Sequence, residues 1–411
     1  MTPVIEILPA DHAEATDFLV ELARALAANG STADRIEGAL STAAERIGIR
    51  AEFFATPTSV FASIGSGPLN ATKLVRVESA DINLDRMTRL DAILQAISAR
   101  EISIAQARMQ IHETLTSPSP WPLWAAVLAF AVSGGCASIF FGGRFREFAV
   151  ALVAGLSVGL LGILTDRVRR LLRVFEFLSG FLVAMVAYSA AIWLPGLNTD
   201  PIIVGGLIVL IPGLSLTIAV SEISTRHLLS GGARLVGAAA SLAMIAFGVA
   251  AGTQLANVFP TPIATQDALP PLGGAALWIA IAVAPVALAV LFKASLRDVP
   301  AIVLTAVFGF FSARTFGDLL GTELGAAGGA MCIGLFANAR ALWANRPVAV
   351  CSMPSIILLV PGSIGFRSLS AFLDQEAVQG LETAVLAVII ALALATGLLL
   401  ANVLLPPHRA L

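Results

Sequence analysis

The hydrophobic pattern divides the chain in two. Over residues 11–29 apolar side chains recur every fourth position, at Phe18, Leu22 and Leu26, and Gly30 closes the run, which predicts an amphipathic helix. A second helix is expected from Ser31 to about Ile47, ended by Gly48. Short β-like runs at 51–55, 59–64 and 73–77, the first two around Thr56-Pro57-Thr58, read as strands. Two more helices are expected, 84–98 behind the capping residue Asn83 and 104–115 behind the capping box Ser103-x-x-Gln106. Residues 1–119 are therefore expected to form a compact α+β domain, which the stiff stretch Thr116-Ser-Pro-Ser-Pro120 separates from the rest of the chain.

Beyond residue 120 long apolar runs take over. A membrane helix needs about 20 predominantly apolar residues. Ten segments answer to that description: 121–141, 148–165, 177–194, 202–220 and 235–255, then 275–292, 299–312, 319–338, 348–366 and 383–405. Composition agrees with this division. Charged residues make up 13% of the chain and the mean hydropathy is +0.87, whereas a soluble chain carries roughly 25% charged residues. Residues 1–119 hold 15 of the 27 acidic and 10 of the 25 basic residues, so the other 292 residues share 27 charges.

Charge also orients the spans, because short cytoplasmic loops are enriched in Lys and Arg. With the N-terminal domain inside, the inner connections hold eleven basic residues, among them Arg167, Arg226, Lys293, Arg297 and Arg340. The outer ones hold four: Arg144, Arg146, Arg314 and Arg367. Cytoplasmic N- and C-termini are expected, with the loop 252–274 outside. The net charge of −2 gives nothing to suggest a nucleic-acid partner, and none is expected. The first residues lack a basic n-region and a long apolar stretch, so no signal peptide is expected. Cys136, Cys332 and Cys351 lie inside apolar runs and read as packing residues.

The membrane part contains an internal repeat. Span four, GGLIVLIPGLSLTIAVSEI, and span nine, PSIILLVPGSIGFRSLSAF, each carry an aliphatic run, a Pro-Gly pair and then hydroxyl-bearing residues. Upstream, Leu123-Trp124 leads to Arg146-Glu147 as Leu277-Trp278 leads to Arg297-Asp298. The acidic residue precedes the proline by 65 residues in one copy and 63 in the other. The expected fold is thus an all-α domain of about ten transmembrane helices in two five-helix repeats, 120–256 and 272–406. Five is odd, so the repeats are inverted, a design that secondary transporters use with the substrate at the repeat interface.

A proline inside a helix frees the carbonyl four residues earlier, here Ile208 and Ile357. In hydrocarbon such a group must face protein or trapped water. The half-helix beyond the break offers N–H groups to an anion. Pro212, Gly213, Ser215 and Thr217, with Pro361, Gly362 and Ser363, are therefore the expected substrate-binding residues, Ser355 lying nearby. Glu176, Glu222 and Asp318 are candidates for proton coupling, being carboxylates at the ends of spans. No cofactor or metal site is expected: His12 and His112 are isolated. Thr56, Thr58, Ser59 and Ser63 read as turn and strand hydroxyls rather than nucleophiles.

Several stretches resemble the threonine/serine exporter family: FFATPTSVFASIG, KLVRVESADINLDRMTRLDAI, FEFLSGF and GGLIVLIPGLSLTIAVSEISTRHLLSGGARL. The resemblance covers about residues 15–250, and a weaker one, centred on PSIILLVPGSIGFRSL, covers 275–372. It implies a ten-span inner-membrane carrier that expels small amino acids using the proton gradient. In some relatives the halves are separate polypeptides, which fits a repeat boundary within 256–274. The alternatives are a carrier of small dicarboxylates, a membrane-anchored hydrolase or sensor domain, and a channel. An anchor needs only one span, so ten with an inverted repeat would be unexplained. The soluble domain is expected to lie outside the bilayer and to modulate transport; oligomeric state is not legible.

Overall fold

A computed structural model of the chain describes residues 9–65, 71–77, 81–258, 272, 274–359 and 377–406. The N-terminal part contains helices α1 (Pro9–Ala28), α2 (Ala33–Ile47), α3 (Leu84–Ser98) and α4 (Ile104–Thr116). Strands β1 (Ala51–Thr56), β2 (Ser59–Ile64) and β3 (Ala71–Arg76) form an antiparallel sheet in that order. Phe18, Leu19, Leu22 and Leu26 of α1 are fully buried against Leu40, Val60 and Ile64. Each such side chain contributes about 1.5–3 kcal/mol on leaving water. The caps lie where the sequence puts them. Asn83 accepts from the Arg86 N–H, and Ser103 and Gln106 bond reciprocally. The Thr56 and Ser59 hydroxyls meet at 2.8 Å across the β1–β2 turn, so they are turn groups.

The remaining described chain is helical: α5 (Leu123–Phe140), α6 (Phe145–Arg167), α7 (Phe175–Trp193), α8 (Thr199–Leu207), α9 (Gly213–Ser224), α10 (Leu228–Ala256), α11 (Gly274–Leu291), α12 (Val299–Leu320), α13 (Thr322–Ala344), α14 (Ala349–Ile356) and α15 (Ala377–Leu404). Among the described residues seven helices are long and apolar enough to cross a membrane: α5, α6, α7, α10, α11, α12 and α15. Two differences from the sequence reading bear on the cavities described below. The fourth segment is two helices, α8 and α9, with Ile208–Pro212 unwound between them. The seventh does not stop at Ser312; α12 runs on to Leu320, and Gly321, at φ +96°, turns the chain into α13. Arg314 is therefore a helical residue, not part of a loop.

Small residues set how closely the helices approach. A Cβ on Gly155 of α6 would overlap the Phe130 carbonyl of α5, and one on Gly248 of α10 the Phe177 carbonyl of α7. One on Gly397 of α15 would overlap the Ala327 carbonyl of α13. Two buried carboxylates brace the loops. Glu147, at the start of α6, accepts from the Arg144 N–H at 2.9 Å and from the Asn198 N–H, before α8, at 3.0 Å. Asp298, at the start of α12, pairs with Arg340 of α13 and with Arg346, before α14.

The N-terminal α+β part is docked on the apolar helices at two places. The Leu84 and Asp85 N–H groups, in the first turn of α3, donate to the Phe292 and Lys293 carbonyls just past α11. The two helix ends thus meet with opposite dipole ends together. Leu84 and Met87 are buried there beside Ala289, Ile302 and Val348, and Lys293 pairs with Asp81. The second contact explains an incomplete cap. Thr32 precedes α2 but makes no side-chain capping bond. The Ala33 N–H donates instead to Glu222 of α9 at 3.0 Å, so a distant carboxylate takes the capping role.

Candidate functional site

A cavity of about 530 Å³ opens among the membrane helices. Its position follows from the local chemistry of residues 208–215. Pro212 has no N–H to give the Ile208 carbonyl, and the helix stops at Leu207. The Gly213 N–H turns back to the Ile211 carbonyl at 2.7 Å, and only the Leu216 N–H, bonded to the Pro212 carbonyl at 3.0 Å, resumes the α-helical pattern. The first turn of α9 consequently presents the Leu214 and Ser215 N–H groups without an intrahelical acceptor. Ile208–Pro212, Leu214 and Ser215 all line the cavity.

The opposite wall comes from the other half of the chain. Pro354 lies inside α14, and the helix tightens at Ile357–Leu359 into a 3-10 turn whose three residues face the same cavity. Thus Ile208–Pro212 and Ile357–Leu359, from the two halves of the chain, line one space. Pro361, Gly362 and Ser363 lie outside the described residues.

The rest of the lining is mostly apolar, with two informative exceptions. Arg314 of α12 supplies the charged side chain among the described lining residues, and no ion pair to it exists among the described residues. Ser133 of α5 is buried, and its Oγ has no hydrogen-bond partner among the described residues. Such an orphan hydroxyl in an apolar wall calls for an explanation such as a ligand or water. Ile82 of the N-terminal part also borders the cavity. Residues 1–119 thus contribute one side chain to the lining, because the docking of α3 brings Ile82 in.

Other residues singled out in the sequence fall elsewhere. Thr217 is buried, donates to the Gly213 carbonyl at 3.2 Å and lines a second cavity of about 300 Å³. Ser355 is buried and donates to the Ile302 carbonyl. Glu222 lines the second cavity and accepts from the Ala33 N–H, the Ser230 hydroxyl and Arg234. Glu176, in the first turn of α7, and Asp318, near the exposed end of α12, border neither cavity. Sequence reasoning missed Arg314 and Ser133. A signal for Arg314 was available: the run 299–312 is too short to span about 30 Å at 1.5 Å per residue. Extending it places the arginine on the helix. Ser133 carries no such signal, because serines are common in apolar helices. Among the described residues no group of three or more His, Cys, Asp or Glu could hold a metal ion.

Comparison with known proteins gives a consistent picture. A family model described as "Putative threonine/serine exporter" matches residues 17–256, and a second, "Threonine/Serine exporter, ThrE", matches residues 277–404. A "Probable threonine/serine exporter" of Mycobacterium tuberculosis is 28% identical over 374 residues, covering 85% of this chain and 68% of the relative. The "Threonine/serine exporter" of Corynebacterium glutamicum is 26% identical, covering 83% and 72%. "Pheromone-regulated membrane protein 10" of Candida albicans is 24% identical over 91% of this chain, which spans only 34% of that longer protein. No solved structure matches.

Proposed function

Because this chain belongs to the threonine/serine exporter family of membrane transporters, we propose that it exports a small hydroxylated amino acid, threonine or serine, and that the proton gradient drives it. The observation that carries this reading is the convergence on one cavity of the broken segment Ile208–Pro212, the 3-10 turn Ile357–Leu359, Arg314 and Ser133, whose hydroxyl has no partner among the described residues. The substrate carboxylate binds Arg314 and the free N–H groups of Leu214 and Ser215. Its ammonium binds carbonyls released at Ile208–Leu210. The side-chain hydroxyl reaches Ser133 or Ser215, which favours threonine and serine over alanine. A dicarboxylate fits less well: the described lining offers one cation for two anionic groups.

In this reading the bundle is two inverted repeats that exchange roles. Matching packing supports it: α7 crosses α10 as α13 crosses α15, each on glycine-to-backbone contacts. Glu147 and Asp298 support it too, each tying the first residues of its second helix to the connection that follows the third. Pro361, Gly362 and Ser363 complete the site from the second repeat. Of the three carboxylates considered for coupling, Glu222 has the best situation. Protonation would weaken its hold on Ala33 and Arg234, and so loosen the soluble domain.

Reconstituted protein in liposomes, loaded with labelled threonine, serine, alanine or succinate and given an imposed pH gradient, tests this directly. Threonine and serine flux is expected to exceed alanine and succinate flux and to rise with the gradient; Glu222→Gln should retain downhill flux but lose that rise. Equal flux with and without the gradient removes the proton, and a preference for succinate removes the amino acid.

The family assignment is compatible with a bacterial inner membrane, and the basic-residue bias supports cytoplasmic termini. A single cysteine at the exposed position Arg297, in a background lacking the three native cysteines, is expected to react only with reagents that enter the cell. Arg340 is unsuitable, since replacing it would strip the buried Asp298 of its partner. Labelling of Arg297→Cys by an impermeant reagent in intact cells reverses the orientation.

A further inference from the structure

The second cavity lies between the soluble domain and the membrane helices, walled by the start of α2 and by α9, α14 and α15. Leu214 borders both cavities, and Ile356 of this one adjoins Ile357 of the other, so a thin apolar layer separates them. Its polar lining has more charge than the larger cavity. Arg35 projects from the first turn of α2, and its Nη1 is cut off from solvent with no hydrogen-bond partner among the described residues. Burial lowers the affinity of this guanidinium for its proton, with Asp34 and Asp91 opposing the change; an arginine stays charged at neutral pH regardless. Glu222, on the same wall, already accepts from three groups. Asp34 is exposed and makes no ion pair among the described residues. Ser221 and Asn402 add neutral polar groups.

An oriented cation, a nearby carboxylate and hydroxyl or amide groups around a space of about 300 Å³ match an α-amino acid, and sites for small molecules begin near this size. A guanidinium with Nη1 unpartnered among the described residues is suited to a carboxylate. We infer that this cavity is a second amino-acid site, on the soluble-domain side of the membrane cavity, where Arg35 takes the carboxylate and Asp34 the ammonium. The identity of its ligand rests on the transport reading above; the existence of the site does not. The soluble domain then shares directly in binding, holding the solute one apolar layer away from the broken helices.

Equilibrium dialysis of the purified full-length chain against labelled L-threonine tests the inference. Two molecules per chain are expected, falling to one in Arg35→Gln and in Ser221→Leu, which fills the cavity from α9. Arg35→Lys should keep two, the second weakened about tenfold, because the charge survives without the planar fork. Pro212→Ala with Gly213→Ala should remove the other molecule, so its combination with Arg35→Gln should bind none. One molecule in the unaltered chain, or two that survive both Arg35→Gln and Ser221→Leu, overturns the inference. Should threonine fail to bind while labelled succinate binds, the substrate assignment falls. The second site then stands if succinate drops from two molecules to one in Arg35→Gln, and falls if it does not. Binding of neither probe overturns it.

Discussion

Replacing Pro212 and Gly213 together by alanine is expected to lower threonine flux at least tenfold at equal protein level. The reasoning is energetic. In a helix interior proline is about 3 kcal/mol and glycine about 1 kcal/mol less favourable than alanine, so the double change biases this segment toward continuous helix by up to about 4 kcal/mol. At 1.4 kcal/mol per tenfold, that bias makes an unwound segment a minor state even after generous allowance for tertiary restraint. Alanine at 212 would supply the N–H that the Ile208 carbonyl lacks. The carbonyls and N–H groups now turned to the cavity would bond each other instead. Thermal stability should be unchanged or higher, which separates this outcome from misfolding. Normal flux and affinity in a well-folded double variant would reduce the break to a packing kink.

Arg314→Gln is expected to raise the KM for threonine about 10- to 100-fold, with little change in the amount of protein inserted. A hydrogen bond to a charged group is worth about 1.5–3 kcal/mol, and Arg314 is the cation on the described wall of the larger cavity. Arg314→Lys should recover part of the loss, since the charge remains but the two-pronged geometry does not. Because Arg314 makes no ion pair among the described residues, removing it strands no partner charge there. Flux measured across a range of threonine concentrations decides the matter. An unchanged KM in both variants would mean that the carboxylate is bound elsewhere.

The local devices of this chain were legible because they depend on neighbours in sequence. Asn83 and Ser103 cap the helices they precede since the groups they satisfy lie within three residues. The stop at Pro212 was equally legible, because the missing N–H and the ring clash are covalent facts. The pairing of Glu147 with the connection to α8, however, was visible only as a spacing and acquired a physical role once the Asn198 N–H was found on its carboxylate.

What the sequence by itself determined is the division into an α+β part and a strongly apolar helical part, the capped helices and three strands of the first, and the break in the fourth apolar segment. Burial preference, local capping and proline chemistry act residue by residue, so they need no knowledge of the fold. Tertiary structure alone decided what faces what. It placed Arg314 and Ser133 beside the broken segment, although 102 residues separate Pro212 from Arg314. It also capped α2 with a carboxylate 189 positions away, and it set Ile82 and Arg35 of the N-terminal part against the two cavities. Periodicity reports which face of a helix is buried but not which helix covers it. That choice rests on glycine-to-backbone contacts such as Gly248 on Phe177, which the sequence contains but does not pair.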